Sequence, residues 1–317
     1  HVPSIVASLI QCINGISLAS REKELGIYLC GVLCLKRYMR VKKYHSINDF
    51  FEENLSFLEQ QEAANNLLIG IPLSMLGEKE KESPPNLFAV LKNQKVVFSC
   101  VQTSPKNFMI YGESSVDAEV FDALIPVLYK NNIKAEGVIG PKNLALAFAK
   151  AWKKETGQDW TINFQQLVYQ LDEVKELKSS KGSLRKATIE DLPLMGQWFI
   201  DFSKEAMNQV DDAATKIIAK EKIESETLYL WEDKAPVSMA AVARPTKNGI
   251  TVNYVYTPPG HRGKGYASNC VSVMSKLMLK RYKFCCLFTD MANPTSNRIY
   301  QQIGYYPIAE FRVLGFL

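Results

Sequence analysis

Val255-Tyr256-Thr257-Pro258-Pro259-Gly260-His261-Arg262-Gly263-Lys264-Gly265-Tyr266-Ala267 is the stretch on which the reading of this chain turns. It begins at the end of a strand-like run, Ile250–Tyr256, and opens a helix that continues to about Arg281. Gly263 and Gly265 flank Lys264, so backbone N–H groups converge on a point that no side chain shields. The positive end of the helix dipole falls there too. Arg262, Lys264 and His261 add side-chain charge. The physics favours a ligand bearing a diphosphate. A P-loop requires Gly-Lys-Ser/Thr, and Gly265 follows Lys264. A Rossmann fingerprint requires Gly-x-Gly-x-x-Gly after the first strand of a βαβ unit, and Ser268 takes its last position.

Upstream, strand-like runs at Leu228–Trp231, Val237–Ala243 and Ile250–Tyr256 are separated by Glu232-Asp233-Lys234 and Pro245-Thr246-Lys247-Asn248. Before them stand a strand at Leu184–Ala187 and helices over about Asp191–Met207 and Asp212–Ile223. The same plan occurs earlier. A helix starts at Ser46, an N-cap type followed by Asp49, Glu52 and Glu53, with Phe50, Phe51, Leu55 and Leu58 on one face. An apolar run, Leu67–Leu76, precedes a charged loop at Glu78–Pro85. Three strands follow at Leu87–Leu91, Val96–Thr103 and Phe108–Tyr111, with turns at Lys92-Asn93-Gln94 and Ser104-Pro105-Lys106-Asn107. Next come a helix at about Asp117–Lys130, a strand at Glu136–Ile139, a helix from Pro141 to about Glu155, and a strand at about Phe164–Leu171. Asp172–Ser183, charged and then small and polar, reads as a linker. The two runs of three strands match in length and turn chemistry, which is a weak internal duplication. After its third strand the first copy reads Tyr111-Gly112-Glu113-Ser114-Ser115, so only the second copy has the glycine loop.

Downstream of the loop, Leu287-Phe288-Thr289-Asp290 reads as the end of a strand. Asn293-Pro294-Thr295-Ser296-Asn297-Arg298-Ile299-Tyr300 then opens a helix that closes at Gly304-Tyr305. The pair of motifs, 255–267 and 287–305, resembles the two cofactor motifs of the GNAT acetyltransferase superfamily. The fold this implies is α/β with a mixed sheet, as two acyl-CoA N-acyltransferase (GNAT-like) domains in tandem. The expected layout is an extension at 1–38, a degenerate GNAT-like domain at 39–172, a linker at 173–183 and a catalytic GNAT domain at 184–317. One position departs from the family. Gly260 stands where the family prefers Gln or Arg, three residues before the first glycine of the motif.

The resemblance implies roles for individual residues. Tyr254, Val255 and Tyr256 would pair their backbone with the pantetheine amides of acetyl-CoA, in a splay between this strand and Phe284–Thr289. Arg262, Gly263, Lys264, Gly265, Tyr266 and Ala267 would hold the pyrophosphate. Asn293 would meet the pantetheine or the adjacent backbone, and Asn297 the adenosine side. Tyr300 would be the general acid. The activity implied is transfer of an acetyl group from acetyl-CoA, as acyl donor, to a primary amine by direct attack on the thioester. No metal is expected. Candidates for the base are Asp290, Glu205, Asp201 and a water relay. The residue types suit this chemistry, because a free thiol has a pKa of about 8.5 and a nearby phenol can protonate the departing thiolate. A strand N–H can stabilise the carbonyl oxyanion. The competing reading is a non-catalytic acyl-CoA-binding or protein-interaction module. A third is transfer to a hydroxyl, or of a longer acyl group.

Composition bounds the rest. With 317 residues, 47% hydrophobic and 22% charged, the chain has ordinary globular composition, which excludes collagen-like and coiled-coil classes. The formal charge of +5 is mild, and no basic stripe or nucleic-acid motif is present. This argues against a nucleic-acid partner; the resemblance implies a small amine or peptide acceptor, and no membrane partner is expected, in a monomer or homodimer. Seven cysteines at irregular spacing read as reduced thiols in a cytoplasmic protein. Cys270, Cys285 and Cys286 read as small core residues. The longest apolar run, Leu25–Leu35, falls short of the roughly 20 residues that a membrane span needs. Residues 1–38 fit neither copy and are read as a tag, extension or upstream sequence, with Met39 suited to a natural start. Asp201, Glu205, Asp211 and Asp212 would suit a cationic acceptor, but read first as a solvated face.

Overall fold

The structure is a computed structural model that describes residues 39–76, 84–103, 106–113, 116, 118–207 and 211–317. The expected extension at 1–38 lies outside the described residues, as do most of the Glu78–Pro85 loop and Ser104-Pro105 of the first copy's second turn. In the first half, β1 (Met39–Tyr44) leads to α1 (Ile47–Leu58) and α2 (Asn66–Met75). Then come β2 (Asn86–Lys92), β3 (Lys95–Gln102), β4 (Phe108–Gly112), α3 (Ala118–Lys130), β5 (Gly137–Pro141), α4 (Lys142–Thr156) and β6 (Trp160–Leu171). The second half repeats the order. It has β7 (Ser183–Lys186), α5 (Leu192–Met207), α6 (Asp212–Glu224), β8 (Leu228–Asp233), β9 (Ala235–Ala243) and β10 (Gly249–Tyr256). These are followed by α7 (Tyr266–Met278), β11 (Phe284–Asp290), α8 (Pro294–Ile303) and β12 (Tyr306–Phe316). The duplication read from three strands thus extends to whole halves. β1 and β12 were not among the expected strands.

Local chemistry sets the helix ends. The Ser46 hydroxyl accepts from the Asp49 N–H at 3.0 Å and caps α1. Thr188 and Asp191 form a capping box ahead of α5. Asn293 caps α8 by accepting from the Ser296 N–H at 3.0 Å, Pro294 fills the first helical position, and Gly304 ends the helix at φ 117°. Pro141, expected inside the first turn of α4, is instead its N-cap, because it is also the last residue of β5.

The described strands form one 12-stranded sheet in the order β1-β2-β3-β4-β5-β12-β6-β11-β10-β9-β8-β7. Among the described residues only β4–β5 and β10–β11 are parallel pairs. The centre of the sheet interleaves the halves. β12 pairs with β5, β6 pairs with β11, and β6 and β12 pair with each other from Tyr306↔Gln170 to Phe316↔Trp160. Each half in sequence therefore gives its last strand to the other half's sheet, and no strand edge is left open in the middle. The 173–183 segment between them is packed rather than free. The Trp231 indole donates to the Lys181 carbonyl at 2.8 Å, the Lys175 N–H donates to the Ile303 carbonyl at 2.8 Å, and Val174 and Leu177 join the core under α7.

Helices cover both faces. α3 and α4 bury Phe88, Phe98, Phe108 and Phe148 on one face of the first half, and α7 and α8 bury Val252, Tyr266, Cys270 and Tyr300 in the second. α1 and α2 cover Leu87, Ala89 and Met109, and α5 and α6 cover Leu228, Leu230 and Met239. The segment leading into α2 crosses to the second half. Asn66 Nδ2 donates to the Arg244 carbonyl at 2.9 Å, and its Oδ1 accepts from Arg244 Nε at 2.8 Å and Thr251 Oγ1 at 2.5 Å. Glu62 accepts from the Asn248 N–H and side-chain amide at 2.8 and 2.7 Å. Alternation along β10 places Thr251 opposite Ile250 and Val252, on the α5–α6 face, so α1, α2, α5 and α6 share one side of the sheet. Asn66→Ala should orphan two buried donors and lower stability by about 1–3 kcal/mol. A urea midpoint that falls with unchanged m-value would show this, and an unchanged midpoint would show that the joint contributes nothing.

Candidate active site

The site is built where β10 leaves the sheet. Its register with β9 runs through Asn253↔Ala241 and then jumps to Tyr256↔Met239, so a bulge sits at 254–255. Tyr254 adopts φ 49°, a conformation that costs a bulky residue about 1–2 kcal/mol. Its ring is clamped by Phe199 at 4.7 Å and Phe202 at 5.6 Å from α5, which holds the strain in place. On the other side, pairing with β11 ends at Thr251↔Cys286, although β10 runs on to Tyr256 and β11 to Asp290. The two parallel strands therefore part beyond that point, and the edge of Tyr254, Val255 and Tyr256 faces the gap.

A short turn at Pro259–His261 carries the chain from β10 to Arg262. Gly263 at φ 76° and Gly265 at φ 79° then bend it into α7. Gly265 is the N-cap and supplies no side-chain cap, and the N–H groups from Gly263 to Ser268 donate to no backbone acceptor among the described residues. A side chain at Gly263 would meet open space; one at Gly265 would stand 3.6 Å from Asn269 Nδ2 and 4.0 Å from Ser180 Cβ. The loop is a set of unengaged backbone donors around a space that only glycine leaves open at this backbone geometry. Such a surface matches an anionic oxygen cluster.

The side chains divide. Arg262 Nη2 donates to both oxygens of Glu205 at 2.7 and 2.9 Å, and Nε donates to the Thr257 carbonyl at 2.8 Å. Arg262 thus ties the loop to α5, its charge matched by Glu205, and its guanidinium lies 5.8 Å from the centre of the Tyr256 ring. Lys264 is exposed, reaching only the Gly260 carbonyl at 3.3 Å, and is the loop cation without a carboxylate among the described residues. The Tyr266 phenol donates to Asp233 at 2.7 Å, and Ala267 follows in the first turn of α7. Asn293 caps α8. The Asn297 amide donates to the carbonyls of Asp290 and Asn293 at 2.9 and 2.8 Å, while its Oδ1 is buried with no partner. Its amide nitrogen therefore ties the end of β11 to α8.

Tyr300 on α8 is buried between Tyr169 and Tyr305, with ring centres at 6.4 and 5.8 Å, and shares an apolar cluster with Val255 and Tyr266. Burial pushes its phenol up to about 12, so it is protonated at neutral pH. Burial likewise pushes Cys270 and Cys285 up to about 12 and Cys286 to about 11, which keeps all three as thiols. Of the expected bases, Glu205 is held by Arg262, Asp201 accepts from Gln197 at 2.8 Å, and Asp290 accepts from the Ala292 N–H at 2.8 Å. Asp211 caps α6 through the Ala213 and Ala214 N–H groups.

Two features were not visible in the sequence. Ser180, in the 173–183 segment, lies beside Gly265 with its hydroxyl buried and unpartnered. The first half also parts its strands, since the β4–β5 ladder holds only Phe108↔Val138 and Met109↔Ile139. A cavity of about 1060 Å³ opens there, lined by Tyr111, Pro141, Lys142, Lys150 and Phe311 among others. No glycine loop follows β4. The unengaged backbone donors stand in the second half, at 263–268. Among the described residues no cluster of His, Cys, Asp and Glu could hold a metal ion, and no helix is long and apolar enough to cross a membrane.

Comparison with known proteins agrees with this geometry. A family profile described as FR47-like protein matches residues 233–313, from the end of β8 into β12. Among solved structures, a GNAT-family acetyltransferase from Colwellia psychrerythraea aligns at TM-score 0.51 and 15% identity, over 87% of this chain and 98% of that one. A GCN5-related N-acetyltransferase from Sphaerobacter thermophilus aligns at 0.56 and 11%, over 88% and 95%. A tandem GNAT protein from the clavulanic acid biosynthesis pathway aligns at 0.50 and 10%, over 88% and 98%. A search of curated proteins gave no match. The fold is thus that of a tandem GNAT protein. The FR47-like profile falls on the half that carries the glycine loop.

Proposed function

We propose that the chain is an acetyl-CoA-dependent N-acetyltransferase acting on a primary amine, with its chemistry in the second half. The observation that carries this reading is the parting of β10 from β11 beyond Thr251↔Cys286, beside an unengaged backbone cradle at 263–268. The residues present fit acetyl-CoA. The cradle and Lys264 would hold the pyrophosphate, the edge of 254–256 the pantetheine amides, and Asn297 Oδ1 a donor on the ligand. Arg262 would act through the loop it braces and Asn293 through the helix it caps. Acetyl-CoA supplies the activated acyl carbon. An N–H at the 254–255 bulge would hold the carbonyl oxygen as charge builds on it. Tyr300, protonated, would give its proton to the departing sulfur. With the cysteines held as thiols and no His near them in sequence, direct attack by the amine fits better than a cysteine relay. Asp201, Asp290 and water are the groups left to take the amine proton.

Calorimetry with acetyl-CoA tests the reading: one site per chain is expected, and no heat at millimolar ligand would remove it. The second reading, a binding or interaction module, keeps the cradle and predicts binding without CoA release for any acceptor. Tyr300, retained and protonated, favours the enzyme. Ser180→Ala should weaken acetyl-CoA binding by about tenfold, the scale of one lost hydrogen bond to a charged group. An unchanged titration would assign the Ser180 hydroxyl no part in the cradle.

A further inference from the structure

On the face of the sheet opposite α7 and α8, the β9–β10 turn carries an arrangement that the acyl donor does not use. Arg244 has φ 47° although Pro245 follows it, a conformation that the proline ring and the Arg side chain both oppose. The strain turns Arg244 onto the α2–α6 side, where Asn66 holds its Nε and its carbonyl. The outer nitrogens Nη1 and Nη2 have no partner among the described residues, yet neither is sealed from solvent. No carboxylate pairs with this guanidinium among the described residues. Burial lowers its pKa, with the neighbouring Cys286 and Tyr254 opposing that shift. Lys222 of α6 is tied to the end of β9 through Thr227, whose N–H donates to the Lys222 carbonyl at 3.0 Å and whose carbonyl accepts from the Val242 N–H at 2.9 Å, two residues before Arg244. Burial and then the charge of Arg244 lower the pKa of Lys222, with the exposed Glu221 opposing. Lys222 also forms no ion pair among the described residues.

A second observation comes from β10. Asn253 shares the face of Thr251, one residue before the bulge. Its Oδ1 is sealed from solvent with no partner, and its amide nitrogen donates to nothing among the described residues. Two uncompensated cations and an unbonded amide cost free energy unless something fills their needs. Both Arg244 and Asn253 lie on the α5–α6 face of the sheet, the face from which Phe199 and Phe202 hold Tyr254. Of the carboxylates on this side, Glu205 is paired with Arg262 and Asp211 caps α6.

We infer that the acceptor is an amine that also carries an anionic group, a carboxylate or a phosphate, seated on Arg244 and Lys222, with Asn253 turned toward the amine end. This deepens the proposed acyl transfer and rests on it. The anion would form a charge-assisted pair with the free outer nitrogens of the guanidinium.

The test measures CoA release by the full chain at saturating acetyl-CoA, with acetyl-CoA affinity measured separately by calorimetry. Glycine and glutamate present a carboxylate, and O-phosphoethanolamine a phosphate. Glycinamide, ethanolamine and spermidine are the matched neutral and cationic amines. At least one anionic amine should exceed its neutral counterpart in kcat/KM by about tenfold or more, the discrimination expected when a site's polar groups would otherwise stay unpaired. Which anionic arm leads tells carboxylate from phosphate. Arg244→Gln and Lys222→Gln should each raise the KM for that amine while leaving its kcat and the acetyl-CoA affinity unchanged. Lys222→Gln touches no bond between the halves, so it decides the matter if Arg244→Gln unfolds. Preference for neutral or polycationic amines overturns the inference. So does a KM that neither variant moves, or acetyl-CoA binding with no turnover of any anionic amine. Failure to bind acetyl-CoA removes the proposed function, and this inference with it.

Discussion

Gly265→Val should lower affinity for acetyl-CoA by about a hundredfold, or about 2.8 kcal/mol at 1.4 kcal/mol per factor of ten. The argument has two parts. Gly265 sits at φ 79°, where a residue with a Cβ is strained by about 1–2 kcal/mol and a β-branched one is worst placed. If the free chain relieves that strain by moving the loop, the N–H groups of 263–268 no longer converge and binding must restore them. If the loop holds its shape, the new methyl groups enter the space beside Asn269 and Ser180 that the ligand oxygens need. Either route weakens binding. The thermal midpoint should move little, because the loop is exposed and outside the core clusters. Gly265→Ala, with one methyl at ordinary contact distance, should fall between wild type and Val. Calorimetric titration of both variants checks the order, and an unchanged affinity for Val would show that the cradle is not where the phosphates bind.

The halves and their cradle were legible because each depends on short-range pattern. Period-two runs with Lys-Asn turns mark three strands twice, and Gly263-Lys264-Gly265 between a strand and a helix needs no long-range information. Strand pairing was not legible in the same way. β12 alternates weakly over its first half, where Tyr306, Pro307 and Glu310 are exposed, and becomes buried only from Phe311 onward. Nothing in Trp160–Leu171 says that its partners are β11 and β12 rather than β5. That choice is made by edges that must be covered, a property of the assembled sheet. The linker composition of 173–183 suggested a tether, yet Val174, Leu177 and Lys181 dock it on α7 and β8, because a few apolar residues and backbone carbonyls suffice once a surface is presented. Arg244 is the sharpest case. Arg-Pro at the end of a strand predicts extended backbone, and the observed φ of 47° comes from Asn66, remote in sequence, taking hold of its Nε and carbonyl.

The engagement of Arg262 also changes how the site is viewed. As sequence it was a pyrophosphate contact; in the structure it closes a bidentate pair with Glu205 that joins the loop to α5. The same pair removes Glu205 from the candidates for a base. The loop and α5 are therefore mechanically linked, and the aromatic clamp of Phe199 and Phe202 on Tyr254 belongs to that same helix.

Tyr300→Phe should reduce kcat by about a hundredfold, the low end of what a positioned general acid contributes, with acetyl-CoA affinity and thermal midpoint unchanged. Phe keeps the ring that packs between Tyr169 and Tyr305 and removes only the hydroxyl. No hydrogen bond of that hydroxyl within the chain is lost among the described residues, so its deletion orphans no partner. The pH dependence separates catalysis from packing. A general acid works in its protonated form, and burial places this phenol at about 12, above the ordinary tyrosine value. Wild-type kcat should therefore show no alkaline loss from Tyr300 across neutral and moderately alkaline pH, and the deficit of the variant should stay constant over that range. An acyl-donor analogue whose thiol is more acidic should narrow the gap, because a leaving group that needs no proton gains nothing from the phenol. A variant that loses activity only through KM, or whose melting point falls in step with its activity, would return Tyr300 to the core as a packing residue. A gap that the more acidic leaving group does not narrow would move the acid role to another group.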